Sequence, residues 1–274
     1  MKPARSETVL SYAILVAMAA AVILPFISIV LAALQPSGSP VSGLALPTRW
    51  SWGNFAAAWS VAGFGRLIAN GAVIAVGVVP LSVVLATLAG YALGTMRLSG
   101  SGVVFALFLL GLTLPIELVI IPLYYDLRLI GLTNSYWGVI LAESAAFMPF
   151  GVFWMRAHFL ATPRSLIEAA EIDGASTART LWSVLLPLAR APMSTLAVLY
   201  FMWSWNQFLL VLVLIQDPQK RTATAGLGFF VGQFTTNVPL LAAGTIVVLF
   251  PICVVYLTFQ RHFIRGMLQG AFKG

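Results

Sequence analysis

The chain has few charged residues, one cysteine and few lysines, and each scarcity excludes a class of protein. Only 8% of its 274 residues are charged, whereas soluble domains carry about 25%, so a soluble globular protein is excluded. The single cysteine, Cys253, can form neither a disulfide nor a cysteine metal site within the chain. Lys2, Lys220 and Lys273 all lie outside the Gly-x4-Gly-Lys-Ser/Thr pattern of a phosphate-binding loop, so ATP would have to be bound by a partner.

Sequence motifs of the common enzyme classes are also missing. His158 and His262 do not form the His-Glu-x-x-His pattern of zinc proteases, and the sequence contains no Gly-x-Ser-x-Gly. Tyr125-Asp126 matches half of an intramembrane aspartyl protease site, but the Gly-x-Gly-Asp partner is absent. We therefore predict a chain that is not an enzyme and that holds no metal and no cofactor of its own.

Long apolar runs dominate the chain. Hydrophobic residues make up 60% of it, and a helix needs about 20 mostly apolar residues to cross a membrane. We predict an all-α integral membrane protein with six transmembrane helices, which are Val9–Leu34, Leu67–Met96, Gly102–Tyr124, Tyr136–Leu160, Met193–Ile215 and Leu240–Gln260. Prolines inside these segments should only kink them, since neighbouring groups can satisfy the freed carbonyl; they are Pro25, Pro80, Pro115, Pro149 and Pro251.

The distribution of lysine and arginine predicts the orientation in the membrane. With six helices both termini face one side, and that side carries the larger set of basic residues, Lys2, Arg5, Arg97, Arg156, Arg164, Arg179, Arg190, Arg261, Arg265 and Lys273. The opposite side carries Arg49, Arg66, Arg128, Lys220 and Arg221. Both termini are therefore predicted to be cytoplasmic. Because the net charge of +7 arises at helix ends, we expect membrane lipid and not nucleic acid as its counterpart.

The predicted organisation follows from these segments. Residues 1–8 form a cytoplasmic N-terminus, 9–34 a first helix and 35–66 an extracytoplasmic loop. Residues 67–260 form a five-helix core that includes a polar cytoplasmic loop at 161–192, and 261–274 form a cytoplasmic tail.

The polar loop is predicted to contain two short helices. Thr162-Pro163 is a helix start signal, and Ser165-x-x-Glu168 offers an overlapping capping box. The first helix should end at Asp173, with Gly174 in the left-handed position. At 100° per residue, one face carries Arg164, Glu168 and Glu171, and the opposite face, whose alanines would let another protein approach, carries Leu166, Ala169, Ala170 and Asp173. Ser176 should cap a second helix, Thr177 to about Leu186, which Pro187 closes.

The spacing within this loop resembles a known family. Glu168-Ala-Ala, three residues, Gly174, nine residues and then Val184-x-Leu186-Pro187 is similar to the EAA loop of ABC importer permease subunits, with valine where isoleucine is usual. The resemblance implies a coupling helix that contacts an ATP-binding subunit through Glu168, Ala169, Ala170, Asp173, Gly174 and Pro187. The alternative is an ordinary amphipathic cytoplasmic loop.

Other stretches resemble the carbohydrate branch of these permeases, in particular the smaller six-span subunit of maltose-type systems. They are Ile121-Pro122-Leu123-Tyr124, Pro149-Phe150, Trp205-Asn206 and the C-terminal Gln260-Arg261-x4-Gly266-x3-Gly270-Ala271-x-Lys273-Gly274. The resemblance implies a type I ABC importer permease fold in a prokaryotic cell membrane. It also implies a second permease subunit, two ATP-binding subunits that hold ATP and Mg, and an extracytoplasmic solute-binding protein. Gln207 stands where an acidic residue often follows Trp-Asn.

Polar residues inside the apolar segments are candidates for the substrate pathway, because an ionisable group within a membrane is a functional-site hypothesis by default. They are Glu117, Glu143, Trp205, Asn206 and Gln207. Hydrogen bonds between helices are the alternative for each of them.

We therefore expect the permease subunit of a carbohydrate importer. The alternatives are an ABC permease for another solute, such as glycerol phosphate or an amino sugar, and an ion-coupled secondary carrier. No internal repeat of the kind common in secondary carriers is evident.

Overall fold

The computed structural model describes residues 5–41, 43–232 and 236–271, which are mostly helical. The α-helices, in chain order, are α1 (Arg5–Ala33), α2 (Gly53–Ala62), α3 (Phe64–Thr95), α4 (Ser101–Thr113), α5 (Ile116–Leu129), α6 (Tyr136–Ala161), α7 (Arg164–Ile172), α8 (Thr177–Thr180), α9 (Leu186–Leu188), α10 (Arg190–Asn206), α11 (Leu209–Leu214), α12 (Ala223–Gly226) and α13 (Val238–Ala271). A π-helical turn, Leu181–Leu185, joins α8 to α9, and short 3-10 turns occupy Pro218–Lys220 and Leu227–Phe230. Within those described ranges there is no β-strand, only an isolated bridge between Val231 and Thr236, so the all-α prediction is confirmed.

Four helical segments are long and apolar enough to cross a membrane by themselves. They are Leu10–Ala33, Phe64–Thr95, Tyr136–Ala161 and Val238–Gln260. Two further pairs qualify only when taken together, Ser101–Thr113 with Ile116–Leu129 and Thr177–Leu188 with Arg190–Asn206. The described residues therefore contain four segments that could cross a membrane, or up to six when each bent pair counts as one. Pro25, Pro80, Pro149 and Pro251 lie inside helices, as predicted.

The third predicted transmembrane helix is broken in two. The prediction of one helix with a kink at Pro115 is wrong, because α4 ends at Thr113 and α5 leaves at an angle of 104°. Leu114 and Pro115 both have extended backbones, with ψ of 117° and 134°. Proline disfavours the helical conformation at the residue before it and supplies no backbone donor, and at this position both residues leave the helix.

The fifth predicted transmembrane helix, Met193–Ile215, is also interrupted. Helix α10 ends at Asn206, and α11 begins at Leu209. Gln207 between them is extended, with φ −65° and ψ 113°. Its side-chain Oε1 accepts a hydrogen bond of 3.4 Å from the backbone N–H of Leu210. The Gln207 side chain thus pairs a backbone donor that the interrupted helix leaves without a partner. The length of the apolar segment does not predict this contact between residues three positions apart.

The chain divides into two compact units. One contains Met1–Gly65 with Gly226–Pro251, and the other contains Arg66–Ala225 with Ile252–Gly274. In the first unit, the buried Asn54 side chain donates to the backbone oxygens of Ala33 and Gln35 at 2.8 and 2.7 Å. These bonds fix the start of α2 against the end of α1, where the last carbonyls of a helix lack partners.

Glycines let α3 and α6 approach closely in the second unit. A Cβ added at Gly90 would lie 2.6 Å from the Cβ of Met155 and 2.8 Å from the backbone nitrogen of Arg156. At Gly94 it would lie 3.0 Å from the Cβ of Phe159. Small residues allow such backbone approach between membrane helices, where van der Waals packing drives association. The buried Met155 and Phe159 belong to the hydrophobic core of this unit.

Gly90→Ala should therefore destabilise the protein, because the new methyl group meets backbone atoms that cannot move aside. Overpacking of this kind costs about 1–3 kcal/mol. Thermal denaturation of the purified protein measures the change. Gly102→Ala in α4 is the matched control, since a Cβ there meets nothing within 4 Å. Equal melting temperatures for Gly90→Ala and wild type would show that the α3–α6 contact is not tight.

Candidate functional site

The polar loop predicted at 161–192 contains the helical stretch Arg164–Leu188, which we call the polar segment. It begins with α7, which ends in a left-handed turn at Gly174. The φ of Gly174 is +75°. Its N–H donates to the Glu171 oxygen at 3.0 Å, and the N–H of Ala175 donates to the Ala170 oxygen at 2.9 Å. These two bonds form a Schellman motif, which satisfies carbonyls at a helix end and favours glycine at the left-handed position. The predicted position of Gly174 is confirmed.

The predicted start of α7 is wrong in detail. Pro163 is the residue before the helix, and no side chain caps it. Thr162 belongs to the end of α6, and its hydroxyl donates to the backbone oxygen of His158 at 3.1 Å. Because α6 continues to Ala161, the Thr162 hydroxyl turns back to the preceding helix and not forward to α7. Ser165 lies inside α7, so the predicted capping box with Glu168 does not form.

The second part of the segment is continuous past Pro187. The Ser176 hydroxyl accepts a hydrogen bond from the N–H of Arg179 at 3.3 Å, so the predicted cap is confirmed. However, the helical path runs on to Leu188, so Pro187 does not close it. A π-helical turn precedes the proline, and the N–H of Leu186 donates to the Leu181 oxygen five residues earlier. A turn widened in this way departs from the regular α-helical bonding that proline would otherwise interrupt.

One side of the polar segment is buried against the chain itself. Ile167 packs on the hydrophobic core, and Ala170 is buried. Leu181 and Leu185 belong to the same core. The prediction that Ala170 shares a partner-facing side with Ala169 is therefore wrong, because Ala169 is exposed and Ala170 is buried. The apolar residues of α7 determine which side of the helix faces the core, and Ile167 and Ala170, three residues apart, lie on that side.

Tyr91 of α3 holds the segment in place. The Tyr91 hydroxyl on α3 donates to the backbone oxygen of Thr177 at 3.3 Å. The Tyr91 ring also meets Phe159 of α6 edge-on, with centroids 5.6 Å apart. The segment is thus bonded to a residue of α3 that itself packs on α6.

The other side of the segment is exposed, and we call it the outer face. Its polar members are Glu168, Glu171 and Asp173, and its apolar members are Ala169, Ile172 and Trp182. Ile172 is 86% exposed and Trp182 is 67% exposed. Large apolar side chains exposed among charged residues mark surfaces where proteins bind one another, and tryptophan is prominent in such contacts.

Three of the predicted pathway residues lie together where α10 ends. Trp205 is buried and stacks on Phe201 with centroids 5.6 Å apart. Asn206 is exposed, and its Nδ2 donates to the Met202 oxygen at 2.8 Å. Gln207 occupies the extended break between α10 and α11. Irregular backbone within a membrane is tolerated only when it is buried in protein or lines a cavity.

Glu143 and Glu117 have opposite environments. Glu143 on α6 is fully buried beside the Ser204 side chain of α10. Neither its carboxyl oxygens nor the Ser204 hydroxyl makes a hydrogen bond of good geometry within the described residues. Glu117 is exposed in the first turn of α5, directly after the 104° bend. Helix α5 contacts both α6 and α11.

Comparison with known proteins decides the family. Residues 82–269 match the family described as binding-protein-dependent transport system inner membrane component. The chain belongs to this family. The permease is 32% identical to the diacetylchitobiose uptake system permease protein of Streptomyces coelicolor over 98% of this chain and 90% of that protein. It is 31% identical to the arabinooligosaccharides transport system permease protein of Halalkalibacterium halodurans, over 92% of this chain and 91% of the relative.

A solved structure supports the fold of this permease. It is the crystal structure of a bacterial ABC transporter involved in the import of the acidic polysaccharide alginate. The TM-score is 0.82, with 21% identity, and the match covers 96% of this chain and 99% of the other. The expected ABC importer permease fold is therefore confirmed.

Sequence reasoning missed the apolar part of the outer face. Ile172 and Trp182 were not among the predicted coupling residues, although both lie off the face that Ile167 and Ala170 bury. An apolar residue on the otherwise charged side of a short helix is a signal that could have identified Ile172. Trp182 lies in the π-helical turn, whose irregular period hides it from a helical projection.

Cysteine labelling should separate the two sides of α10. In a Cys253→Ala background, maleimide should react readily with a cysteine at Asn206 and slowly with one at Ser204, because Asn206 is exposed and Ser204 is buried. Ser204→Cys is nearly isosteric, so it should leave the fold intact, and full reaction after denaturation is its control. Equal rates in the native protein would contradict this arrangement of α10.

Proposed function

We propose that this permease is a membrane-spanning subunit of an ATP-binding-cassette importer that carries a neutral carbohydrate. Its family and the relatives named for diacetylchitobiose and arabinooligosaccharides support the proposal. The observation that carries it is the polar segment Arg164–Leu188, which is bound to α3 and packed on the core on one side and leaves Ile172 and Trp182 exposed on the other.

The complete importer would contain four further proteins. They are a second permease subunit, two ATP-binding subunits and an extracytoplasmic solute-binding protein. ATP and Mg would be held by the ATP-binding subunits, and this chain would perform no catalysis. Its contribution is to accept a solute on one side of the membrane, enclose it between helices, and release it on the other side.

The polar segment would couple ATP binding to movement of the spans. An ATP-binding subunit would contact the outer face through Glu168, Ala169, Ile172, Asp173 and Trp182. The Schellman turn at Gly174 fixes the angle between α7 and α8, so the two short helices move as one stiff connection. Leu181 and Leu185 pass displacement of that connection into the core.

The breaks after α4 and α10 would form part of the solute pathway. Asn206 and Gln207 provide amide donors and acceptors, Glu117 provides a carboxylate, and the exposed rings of Trp203 and Phe208 provide stacking surfaces. These groups suit the hydroxyl groups and apolar faces of a sugar ring. Glu143 would join the pathway only when α6 and α10 separate, since it is fully buried in this conformation.

Substitutions at Gly174 should test the coupling role. Gly174→Val adds strain of about 1–3 kcal/mol, because a β-branched residue rarely adopts positive φ, and we expect loss of ATP-driven uptake. Gly174→Asn should retain much of the uptake, since asparagine tolerates the left-handed conformation. A Cβ at Gly174 meets nothing in this chain within 4 Å, so conformation alone distinguishes the variants. Sugar uptake into proteoliposomes and ATPase stimulation by the solute-binding protein are the measurements; full coupling in Gly174→Val would contradict the proposal.

The proposal places both termini and the polar segment in the cytoplasm, with six transmembrane segments. In a Cys253→Ala background, a membrane-impermeant maleimide added outside should label cysteines at Ser39 and Gln219 but not at Lys273. Position 273 lies outside the described residues. Labelling of position 273 from outside in sealed cells would contradict this topology.

A further inference from the structure

A cavity lies between the first half of α3, the start of α6 and the loop that contains Lys220. Its volume is about 520 Å³, and nine residues line it. They are Val73, Val76, Gly77, Asn134, Ser135, Tyr136, Trp137, Ile140 and Lys220. All belong to the second compact unit, and none is among the coupling or pathway residues. Ligand sites in proteins commonly have volumes of about 300–1,000 Å³.

The wall of this cavity is apolar and lies along membrane-crossing helices. Val73 and Val76 are on α3, and Ile140 is on α6, both of which are long and apolar enough to cross a membrane. Val76 is 72% exposed and Val73 is also exposed. Gly77 brings the Ile140 side chain close to the α3 backbone, since a Cβ there would lie 2.6 Å from Ile140 Cδ1. Aliphatic walls of this kind contact hydrocarbon, whereas a sugar needs a polar lining.

The rim of the cavity is polar and lies at the end of the crossing segment. Lys220 Nζ donates to the Asn134 backbone oxygen at 3.2 Å, and an ammonium group has two further donors available. The Ser135 hydroxyl accepts from the Trp137 N–H at 3.3 Å, so its own proton is available to another acceptor. Trp137 is exposed beside them, and tryptophan is enriched where membrane helices meet the lipid head groups.

Hydrogen bonds hold Lys220 at this rim. The Asn70 side chain donates to the backbone oxygens of Gln219 and Arg221 at 2.8 and 2.9 Å. The N–H of Asp217 donates to Asn134 Oδ1 at 3.0 Å. The loop is therefore fixed to α3 and to the start of α6, and Lys220 is half-buried. A fixed cation loses less conformational freedom on binding an anion than a mobile surface lysine does.

The charges around the rim favour an anion. Arg66 lies nearby and bonds to the Gln219 side chain, and the Nε of Arg221 donates to the Ile215 oxygen at 3.3 Å. Asp217 is the acidic residue in the same loop, and its carboxylate accepts from the Gln219 N–H at 2.9 Å. Lys220 is the charged residue that lines the cavity, and Arg66, Arg221 and Asp217 beside it add two positive charges and one negative charge.

We propose that the cavity binds one anionic phospholipid from the leaflet at which α3 and α6 begin. Its acyl chain lies along Val73, Val76 and Ile140, and its phosphate contacts Lys220 Nζ and the Ser135 hydroxyl. A lipid bound there stabilises the contact between α3, α6 and the loop Gln216–Arg221. The site is separate from the pathway, so it does not depend on which solute the importer carries.

Native mass spectrometry of the assembled importer, from nanodiscs with equal amounts of phosphatidylglycerol and phosphatidylcholine, tests this site. Wild type should retain one tightly bound phosphatidylglycerol. Lys220→Gln should weaken that binding about five-fold, the effect expected for one basic residue near a charged membrane surface. Val76→Trp places a large ring in the cavity from an exposed position, so it should lower the retention of phosphatidylglycerol without disturbing the core.

Arg128→Gln is the matched control, because it removes one positive charge at the C-terminal end of α5, outside the cavity. It should leave retention unchanged. Equal retention of phosphatidylglycerol by Lys220→Gln and wild type would overturn the proposal, as would equal retention of the two lipids. Displacement of the lipid by a soluble oligosaccharide would assign the cavity to the solute instead. A cross-link from position 76 to the second permease subunit would show that a protein covers it.

Discussion

The close contact of α3 with α6 is the constraint on which the rest of the described structure depends. Gly90 and Gly94 have no side chains, so the two backbones meet around Met155 and Phe159. Without a hydrophobic driving force between helices in lipid, such fitted surfaces are what holds a bundle together. The polar segment is bound near one end of this contact through Tyr91, and the cavity proposed to bind a phospholipid lies near the other end beside Gly77.

The parts of this fold that follow from local rules could be predicted, and those set by tertiary contacts could not. Gly174 and Ser176 lie where their backbone preferences require, because one residue decides a left-handed turn or a cap. The 104° break at Leu114-Pro115 was expected as a kink, since proline disturbs a helix without fixing the angle. Pro187 lies in a helix because an irregular turn precedes it. The rotation that buries Ala170 depends on the core beneath α7, which its own sequence does not describe.

The two sides of the polar segment match what the proposed coupling role requires. Its inner residues Leu181 and Leu185 are part of the core, so they cannot move without moving the helices around them. Its outer residues Ile172 and Trp182 have no comparable cover within the described chain. A segment that was exposed on both sides would transmit no displacement, and one that was buried on both sides would offer nothing to bind.

Site-specific photo-cross-linking from position 172 in the assembled importer tests this account most directly. Ile172 is exposed and Ile167, five residues earlier, packs on the core, so the two positions compare the outer and inner faces of one helix. The account predicts that a photoreactive residue at 172 forms an adduct with the ATP-binding subunit, whereas the same residue at 167 forms adducts only within this chain. An adduct with the ATP-binding subunit from 167 and none from 172 would contradict it.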